Sequence, residues 1–166
     1  MSLRDTLARG IAAIPQAVQG ALRPLFNALA DRYASCALSS AGLVIKAGGS
    51  ALAKTGASVF YAVANGKIVT IAGATDMPAL VGTITANKFN VFCFFIDKAG
   101  TVTAAMGVEG ATLAAVKFPP FPDGKALVGF IAVTHSSTFT GGTTPLDTAT
   151  TVYVSPLGAF DPQMVP

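Results

Sequence analysis

The chain has 166 residues, which is enough for one domain with a buried core. Hydrophobic residues make up 52% of it and charged residues only 11%, against about 25% in a typical soluble domain. No stretch reaches the roughly 18 to 20 uninterrupted apolar residues of a membrane span, and the net charge of +3 comes without a basic run interleaved with aromatics. We therefore expect no membrane and no nucleic-acid partner, and a surface that is partly covered by other subunits.

Residues 1–34 carry apolar side chains in steps of three and four, which is the period of one face of a helix. Ser2 and Asp5 have the form of a capping box, whereas Pro15 and Pro24 each interrupt the helix or begin a new one. We predict an N-terminal helical arm made of two or three short pieces. Its apolar stripe consists of Leu3, Leu7, Ile11, Ile14, Val18, Leu22, Leu25 and Leu29.

The arm also holds all four arginines of the chain, and the remainder is almost neutral. Because prolines interrupt the helix, its order must come from packing, either on its own domain or on a neighbouring subunit. Arginine is suited to bidentate pairing with carboxylates at an interface, so we take the second as the prediction. The predicted contact residues are Arg4, Leu7, Arg9, Ile11, Ile14, Val18, Leu22, Arg23, Leu25 and Arg32.

After a small polar linker at 35–41, the apolar period changes to two, which indicates strands. Asn65 and Gly66 form the dipeptide favoured in a two-residue type I′ hairpin. Short strands at this spacing predict a mainly β body over residues 42–166, an antiparallel β-sandwich or jelly-roll-like barrel. The predicted strands are 43–47, 59–64, 68–72, 80–85, 91–96, 101–106, 126–134 and 151–154.

Three prolines, Pro119, Pro120 and Pro122, precede the strand at 126–134. Proline cannot donate to a β ladder, so residues 118–122 must lie outside the sheet or on its edge. We expect this segment to run in an extended conformation across one end of the barrel, before Asp123 and Gly124 turn the chain into the strand.

The strands at 91–96 and 126–134 are apolar on both faces. Strict alternation places Leu127 and Ile131 on one face of the second strand and Val128 and Phe130 on the other. A sandwich strand normally buries only one face, so the other face requires a second cover, which we expect from the arm or, given the low charge, from another chain. The residues predicted to be buried are Phe92, Phe94, Leu127 and Ile131.

Few residues of the chain are suited to catalysis. His135 is the only histidine and ends a predicted strand, where we expect a polar rim residue. The acidic residues mostly occupy apparent turns, where Asp bonds to local backbone. Cys36 and Cys93 lack metal-ligand spacing. The sequence leaves a disulfide between them open, but their apolar surroundings favour buried free thiols, which we take as the prediction. We predict no catalytic residue, no metal site and no cofactor, and therefore no enzyme.

The run PPFPDGKALVGFIAV, followed after a short loop by TFTGGTTPLDTATTVYVSPLGAFDP, resembles structural proteins of tailed-bacteriophage virions. These are small β-rich subunits on the outside of a capsid, the cement or decoration proteins. The resemblance covers roughly residues 58–162 and supplies no catalytic residue. It implies a major capsid protein as partner, a homo-oligomer (dimer or trimer), and a place on the outer capsid surface of the virion. Asp5, Pro15 and Gln16 interrupt any signal-peptide core, so we expect synthesis in the host cytoplasm.

Three other functions remain open from the sequence. A phage receptor-binding or tail-fibre module also uses β folds and threonine-rich surfaces, and polar or aromatic loops clustered at one tip would favour it. A carbohydrate-active enzyme would need two carboxylates within roughly 5 to 10 Å of each other in a cleft. A membrane-surface protein would use residues 1–34 as an amphipathic anchor.

Overall fold

The computed structural model describes residue 18 and residues 34–160. This part of the chain is mainly β and its strands pair antiparallel, as predicted. Two short 3₁₀ turns, Leu113–Ala115 and Leu146–Thr148, lie between strands. The strands are β1 (Cys36–Ala37), β2 (Val44–Ile45), β3 (Ala53–Lys54), β4 (Phe60–Ala64), β5 (Lys67–Ile71), β6 (Thr83–Ile84), β7 (Phe89–Ile96), β8 (Val102–Met106), β9 (Ala126–Thr134), β10 (Phe139–Thr140) and β11 (Thr150–Val154).

The strands form separate sheets, and in residues 34–160 they do not close into a barrel. The largest sheet has the order β11-β9-β7-β8, and a three-stranded sheet has the order β1-β4-β5. β2 pairs with β3, and β6 pairs with β10. The predicted barrel form is therefore not observed, and the jelly-roll topology stays a prediction.

The hairpin between β4 and β5 is the one that the sequence predicted. Asn65 has φ 50° and Gly66 has φ 76°, so both central residues are in the left-handed region that a type I′ turn requires. The register runs from Phe60 opposite Ile71 to Ala64 opposite Lys67. The turn therefore determines which residues of β4 and β5 share a face.

One hydrophobic core lies between the three-stranded and the four-stranded sheets. Phe60, Ala62 and Val69 contribute from the three-stranded sheet, and Phe92 and Phe94 contribute from β7. All of these side chains are buried, as is Ile131 on β9. The predicted burial of Phe92, Phe94, Leu127 and Ile131 is confirmed.

A β-bulge interrupts the pairing of β7 with β9. Phe94 lies opposite Gly129, but the next residue, Phe95, lies opposite Leu127, so Val128 is the extra residue on β9. An extra residue shifts the alternation of the strand by one position. The expectation that Leu127 and Ile131 share a face was therefore wrong, because they belong to different hydrophobic clusters.

Gly129 at the bulge allows a close approach of two distant segments. A Cβ atom there would lie 2.6 Å from the carbonyl oxygen of Val154 and 2.6 Å from Cδ1 of Leu43. Real Cβ atoms are not found that close to other heavy atoms, so only glycine fits without movement. The absence of a side chain at Gly129 thus allows β11 and the segment before β2 to pack closely against the bulge.

The second apolar face of β7 and β9 is covered by the chain itself. The ring of Phe121 meets that of Phe95 edge-on at 5.0 Å between centroids, and Phe118 meets Phe130 in the same way at 5.0 Å. Pro119 between them is buried. The cluster consists of Cys93, Phe95 and Leu127, packed against Ala105, Phe118, Phe121, Phe130 and Phe160.

This cover corrects two expectations. The proline-rich segment 118–122 lies outside the strands, as predicted, but it packs over a sheet face instead of crossing the end of a barrel. The cover over Phe95 and Leu127 comes from this segment and Phe160, whereas the sequence led us to expect the arm or another chain. Burial of both faces of β7 is thus not by itself a sign of a partner.

Other differences concern strands that were not predicted and strands that are shorter than predicted. β1 falls within the predicted linker 35–41 and pairs with β4, because Cys36 lies opposite Val63. β3 and β10 were missed, and the predicted strands 43–47 and 80–85 are only two residues long. The predicted arm lies outside the described residues except for Val18, which is in helical conformation.

Candidate functional site

The side of the three-stranded sheet that faces away from the core is apolar. Alternation along β1, β4 and β5 sends every second side chain to this side. Val63 lies between Cys36 on β1 and Ile68 on β5, so the three form one row across the sheet. We call this side the outer face and define it by Cys36, Leu38, Tyr61, Val63, Ile68 and Thr70.

The outer face is largely uncovered by residues 34–160. The exposed fraction is 65% for Ile68, 53% for Leu38 and 46% for Tyr61. An antiparallel sheet with one solvated face usually has polar residues on it, and here Thr70 is the polar member. Contiguous exposed apolar side chains of this kind mark interaction surfaces.

The two cysteines differ in their surroundings, and both are free thiols, as predicted. Cys93 lies within the aromatic cluster, where burial raises the pKa of its thiol to about 12 because the thiolate would lose its hydration. Cys36 is only half-buried and lies on the outer face, so the expectation that it is buried was wrong. Cys36 is thus the more accessible thiol of the pair.

A second candidate surface is polar and lies in residues 136–150. Asp147 accepts a hydrogen bond from the backbone N–H of Gly49 at 2.6 Å, and the N–H of Leu146 donates to the carbonyl of Ser50 at 2.9 Å. Leu146 is buried and anchors the segment. We call this segment the hydroxyl loop; its exposed polar residues are Ser136, Ser137, Thr138, Thr140, Thr143, Asp147, Thr148 and Thr150.

The two carboxylates with lowered pKa values, Asp97 and Glu109, each accept two hydrogen bonds. The N–H groups of Thr101 and Ala99 donate to Asp97, chiefly that of Thr101, and lower the pKa of its carboxyl. Thr85 donates both its N–H and its hydroxyl to Glu109, each at 2.9 Å, and these bonds lower the pKa of Glu109. Asp97 occupies a turn, as the sequence predicted.

Within residues 34–160, the ring of His135 is hydrogen-bonded to Ser137, two positions along the chain. Its Nδ1 lies 2.9 Å from the hydroxyl of Ser137 and 3.1 Å from the N–H of the same residue. This is the polar rim position that the sequence predicted. In residues 34–160, no three His, Cys, Asp or Glu side chains converge as a metal site would require. No helix in the described part of the chain is long and apolar enough to cross a membrane.

The predicted interface residues of the arm lie outside the described part of the chain, except for Val18, whose side chain is 45% exposed. The structure therefore does not bring them together or separate them, and they stay predictions. No family model, no curated protein and no solved structure matches this chain.

The outer face was not predicted from the sequence. The signal was present, because Val59, Tyr61 and Val63 alternate with Phe60 and other apolar residues, so the predicted strand 59–64 is apolar on both sides. Ile68 continues the pattern on the next strand. Only the strands at 91–96 and 126–134 were predicted to be apolar on both faces, and there the chain supplies its own cover.

Proposed function

We propose that the protein is a structural virion protein that binds the outside of a phage capsid and stabilises the capsomer lattice, as a cement or decoration protein. The observation that carries this proposal is the outer face, which leaves Leu38, Tyr61 and Ile68 exposed in a chain that is only 11% charged. Such a surface favours a subunit of an assembly. The resemblance of residues 58–162 to cement proteins supplies the kind of assembly.

The mechanism is mechanical and requires no reaction. Burial of apolar surface stabilises contacts by roughly 25 cal/mol per Å², and a standard interface buries about 800 Å² on each partner. The same contact repeated over many copies would hold capsomers together against internal pressure. We propose the major capsid protein as partner and a homo-oligomer, dimer or trimer, as the working unit.

The arm supplies the remaining contacts in this proposal. The four arginines of the arm, Arg4, Arg9, Arg23 and Arg32, would pair with carboxylates of a neighbouring subunit, and the apolar stripe from Leu7 to Leu25 would pack beside them. The β body, an antiparallel sandwich with jelly-roll topology in this proposal, would present the arm at the capsid surface.

The hydroxyl loop favours a second candidate, a receptor-binding or tail-fibre module. Its exposed hydroxyl groups lie along one continuous segment, which Asp147 and Leu146 hold against residues 49 and 50. Hydroxyl donors and acceptors in a firmly anchored loop suit recognition of a polar receptor such as a glycan.

Locating the protein in purified particles of the virus that encodes it separates these proposals. Gold-labelled antibodies bound over the whole shell would support the cement protein, and labels confined to the tail would support the receptor-binding module. Absence of the protein from purified particles would contradict both. As a second measurement, particles lacking the protein should lose DNA at lower temperature than particles to which it has been added back.

A further inference from the structure

β5 is a free edge of the three-stranded sheet, since within residues 34–160 it pairs only with β4. Tyr61 on β4 lies opposite Thr70 on β5. The carbonyl of Tyr61 accepts the N–H of Leu38 at 2.9 Å, and its own N–H donates to the hydroxyl of Ser39 at 2.8 Å. Both backbone groups of Tyr61 therefore point toward β1. In an antiparallel ladder the groups of the opposite residue then point the other way, so the N–H and C=O of Thr70 lie on the outer edge of β5.

The backbone groups of Ile68 point the same way, because Ile68 is two positions from Thr70 along the strand. In the described part of the chain, the N–H and C=O of these two residues have no hydrogen-bond partner. Natural proteins usually protect such an edge with proline, a bulge or several charges. β5 contains no proline and pairs with β4 without a bulge, and its one charged residue is Lys67, next to the hairpin. The edge is therefore open to pairing with another strand.

We propose that two copies of the protein pair antiparallel through β5, with Ile68 opposite the partner's Thr70 and a two-fold axis at Val69. In this register the outward N–H and C=O of both residues bond across the axis, and the same edge serves both copies. Lys67 then lies about 14 Å from the partner's Lys67, beyond the screening length of about 8 Å at physiological salt. The charge at the end of β5 therefore does not oppose the pairing, whereas a register that placed the two lysines opposite each other would be destabilised.

The pairing joins two outer faces into one and leaves the joined face exposed. Three strands from each copy form one continuous sheet of six, about 29 Å wide and about 17 Å along the strands, so the joined face measures about 500 Å². A standard interface takes about 800 Å² from each partner, and one outer face alone supplies about 250 Å². The dimer therefore offers a capsid a larger apolar contact than one copy does. This role rests on the proposed function, whereas the pairing itself rests on the β5 edge alone.

Thr70→Pro tests the pairing, because proline has no N–H to donate and obstructs a strand placed beside it. The N–H of Thr70 points away from β4, so the body should stay folded by circular dichroism. Light scattering of the full-length protein at micromolar concentrations should show a dimer. Thr70→Pro should raise the dissociation constant of that dimer by about tenfold or more.

Ala104→Pro is the matched control, because it makes the same change on the free edge of the four-stranded sheet. The N–H of Gly107 donates to the carbonyl of Val91 at 2.8 Å, and the N–H of Asp97 donates to the carbonyl of Thr101 at 3.1 Å. Residues 101, 103, 105 and 107 therefore bond toward β7, and the N–H of Ala104 points away from it. Ala104→Pro should leave the dimer unchanged.

Paired cysteines test the register and decide the matter if Thr70→Pro fails to fold. Opposite residues of a hydrogen-bonded pair have Cα atoms about 5.5 Å apart, which is within disulfide range. In a Cys36→Ser background, Ile68→Cys combined with Thr70→Cys should therefore give a disulfide-linked dimer on mild oxidation. Either substitution alone should give none, because its Cα would lie about 9 Å from the same residue of the partner. Cys93 is buried and does not compete.

A monomer or a trimer in solution overturns the inference. A dimer that survives Thr70→Pro, or that Ala104→Pro weakens equally, also overturns it, as does equal crosslinking of the single and double cysteine variants. Binding to purified particles separates this inference from the proposed function. A monomer that binds particles refutes the pairing and leaves the cement protein, and loss of that binding in Thr70→Pro would assign the edge to a strand of the capsid protein. A dimer that binds no particle supports the pairing and contradicts the cement protein.

Discussion

Phe121→Ala tests whether the chain covers its own second sheet face. Phe121 lies in the proline-rich segment, and its ring meets Phe95 edge-on with 5.0 Å between centroids. Phe95 is 1% exposed and Leu127 is 4% exposed, so both depend on this cover. The substitution removes the ring and leaves the prolines around it unchanged.

The size of the effect follows from the burial of Phe121. A fully buried Phe→Ala substitution costs about 3 to 5 kcal/mol, and Phe121 is only half-buried. We expect Phe121→Ala to lower the free energy of unfolding by about 2 kcal/mol, including roughly 0.5 to 1.5 kcal/mol from the edge-on ring pair. In a double-mutant cycle with Phe95→Ala, that pair term should appear as a coupling energy of about 1 kcal/mol.

Urea unfolding followed by far-ultraviolet circular dichroism measures this effect, since the chain has no tryptophan to serve as a fluorescent probe. The midpoint should fall while the slope stays constant. Leu113→Ala is the control, because Leu113 is 57% exposed and belongs to neither cluster, so it should change stability by no more than about 0.5 kcal/mol. If Phe121→Ala changes the free energy of unfolding as little as the control does, Phe121 does not cover this sheet face in solution. The cover would then have to come from another chain.

The remaining predictions concern the bulge and two titrating groups. Gly129→Ala should lower the free energy of unfolding by at least about 2 kcal/mol, because the new Cβ would lie 2.6 Å from a carbonyl oxygen of β11. Gly48→Ala, where the nearest atom is 4.0 Å away, should change it little in the same urea titration. The pKa of Glu109 is lowered, so its ionised carboxylate stabilises the folded chain at neutral pH. That contribution is lost as the pH falls and the carboxylate becomes protonated. In a plot of the free energy of unfolding against pH, Glu109→Gln should therefore make the fall toward acid pH shallower. The pKa of Cys93 is raised from 9.0 to about 12, so its contribution is present below pH 9 and is lost between pH 9 and 12. Cys93→Ala should therefore flatten the alkaline side of the curve, and an unchanged slope there would show that the thiol is not buried in solution.

Local patterns allowed part of the fold to be predicted from the sequence. Asn65 and Gly66 form the predicted hairpin because a type I′ turn needs two residues with positive φ, which these residues tolerate. Phe92 and Phe94 are buried because alternation along β7 is regular. These features depend on residues that are close together in the sequence, so they can be predicted from the sequence alone.

Short strands were harder to predict. β3 and β10 have two residues each, which is too short for any alternation to be visible. β3 pairs with the nearby β2, and β10 pairs with β6, which is distant in sequence. β1 lies in a stretch of small polar residues, and its pairing depends on β4. The outer face extends from β4 and β5 to Cys36 because β1 pairs with β4, and the sequence did not predict that pairing.

The sequence alone determined that the chain is mainly β, that it has few charges, and that its longest strands are apolar on both sides. Only the tertiary structure decided what covers those sides. The bulge at Val128 placed Leu127 and Ile131 on opposite faces, and Val154 approaches Gly129 closely beside it. Phe121 reaches Phe95 across 26 residues of sequence, and alternation within either segment contains no information about that contact. Periodicity shows that a face is apolar, whereas the path of the chain in space decides whether the same molecule covers it.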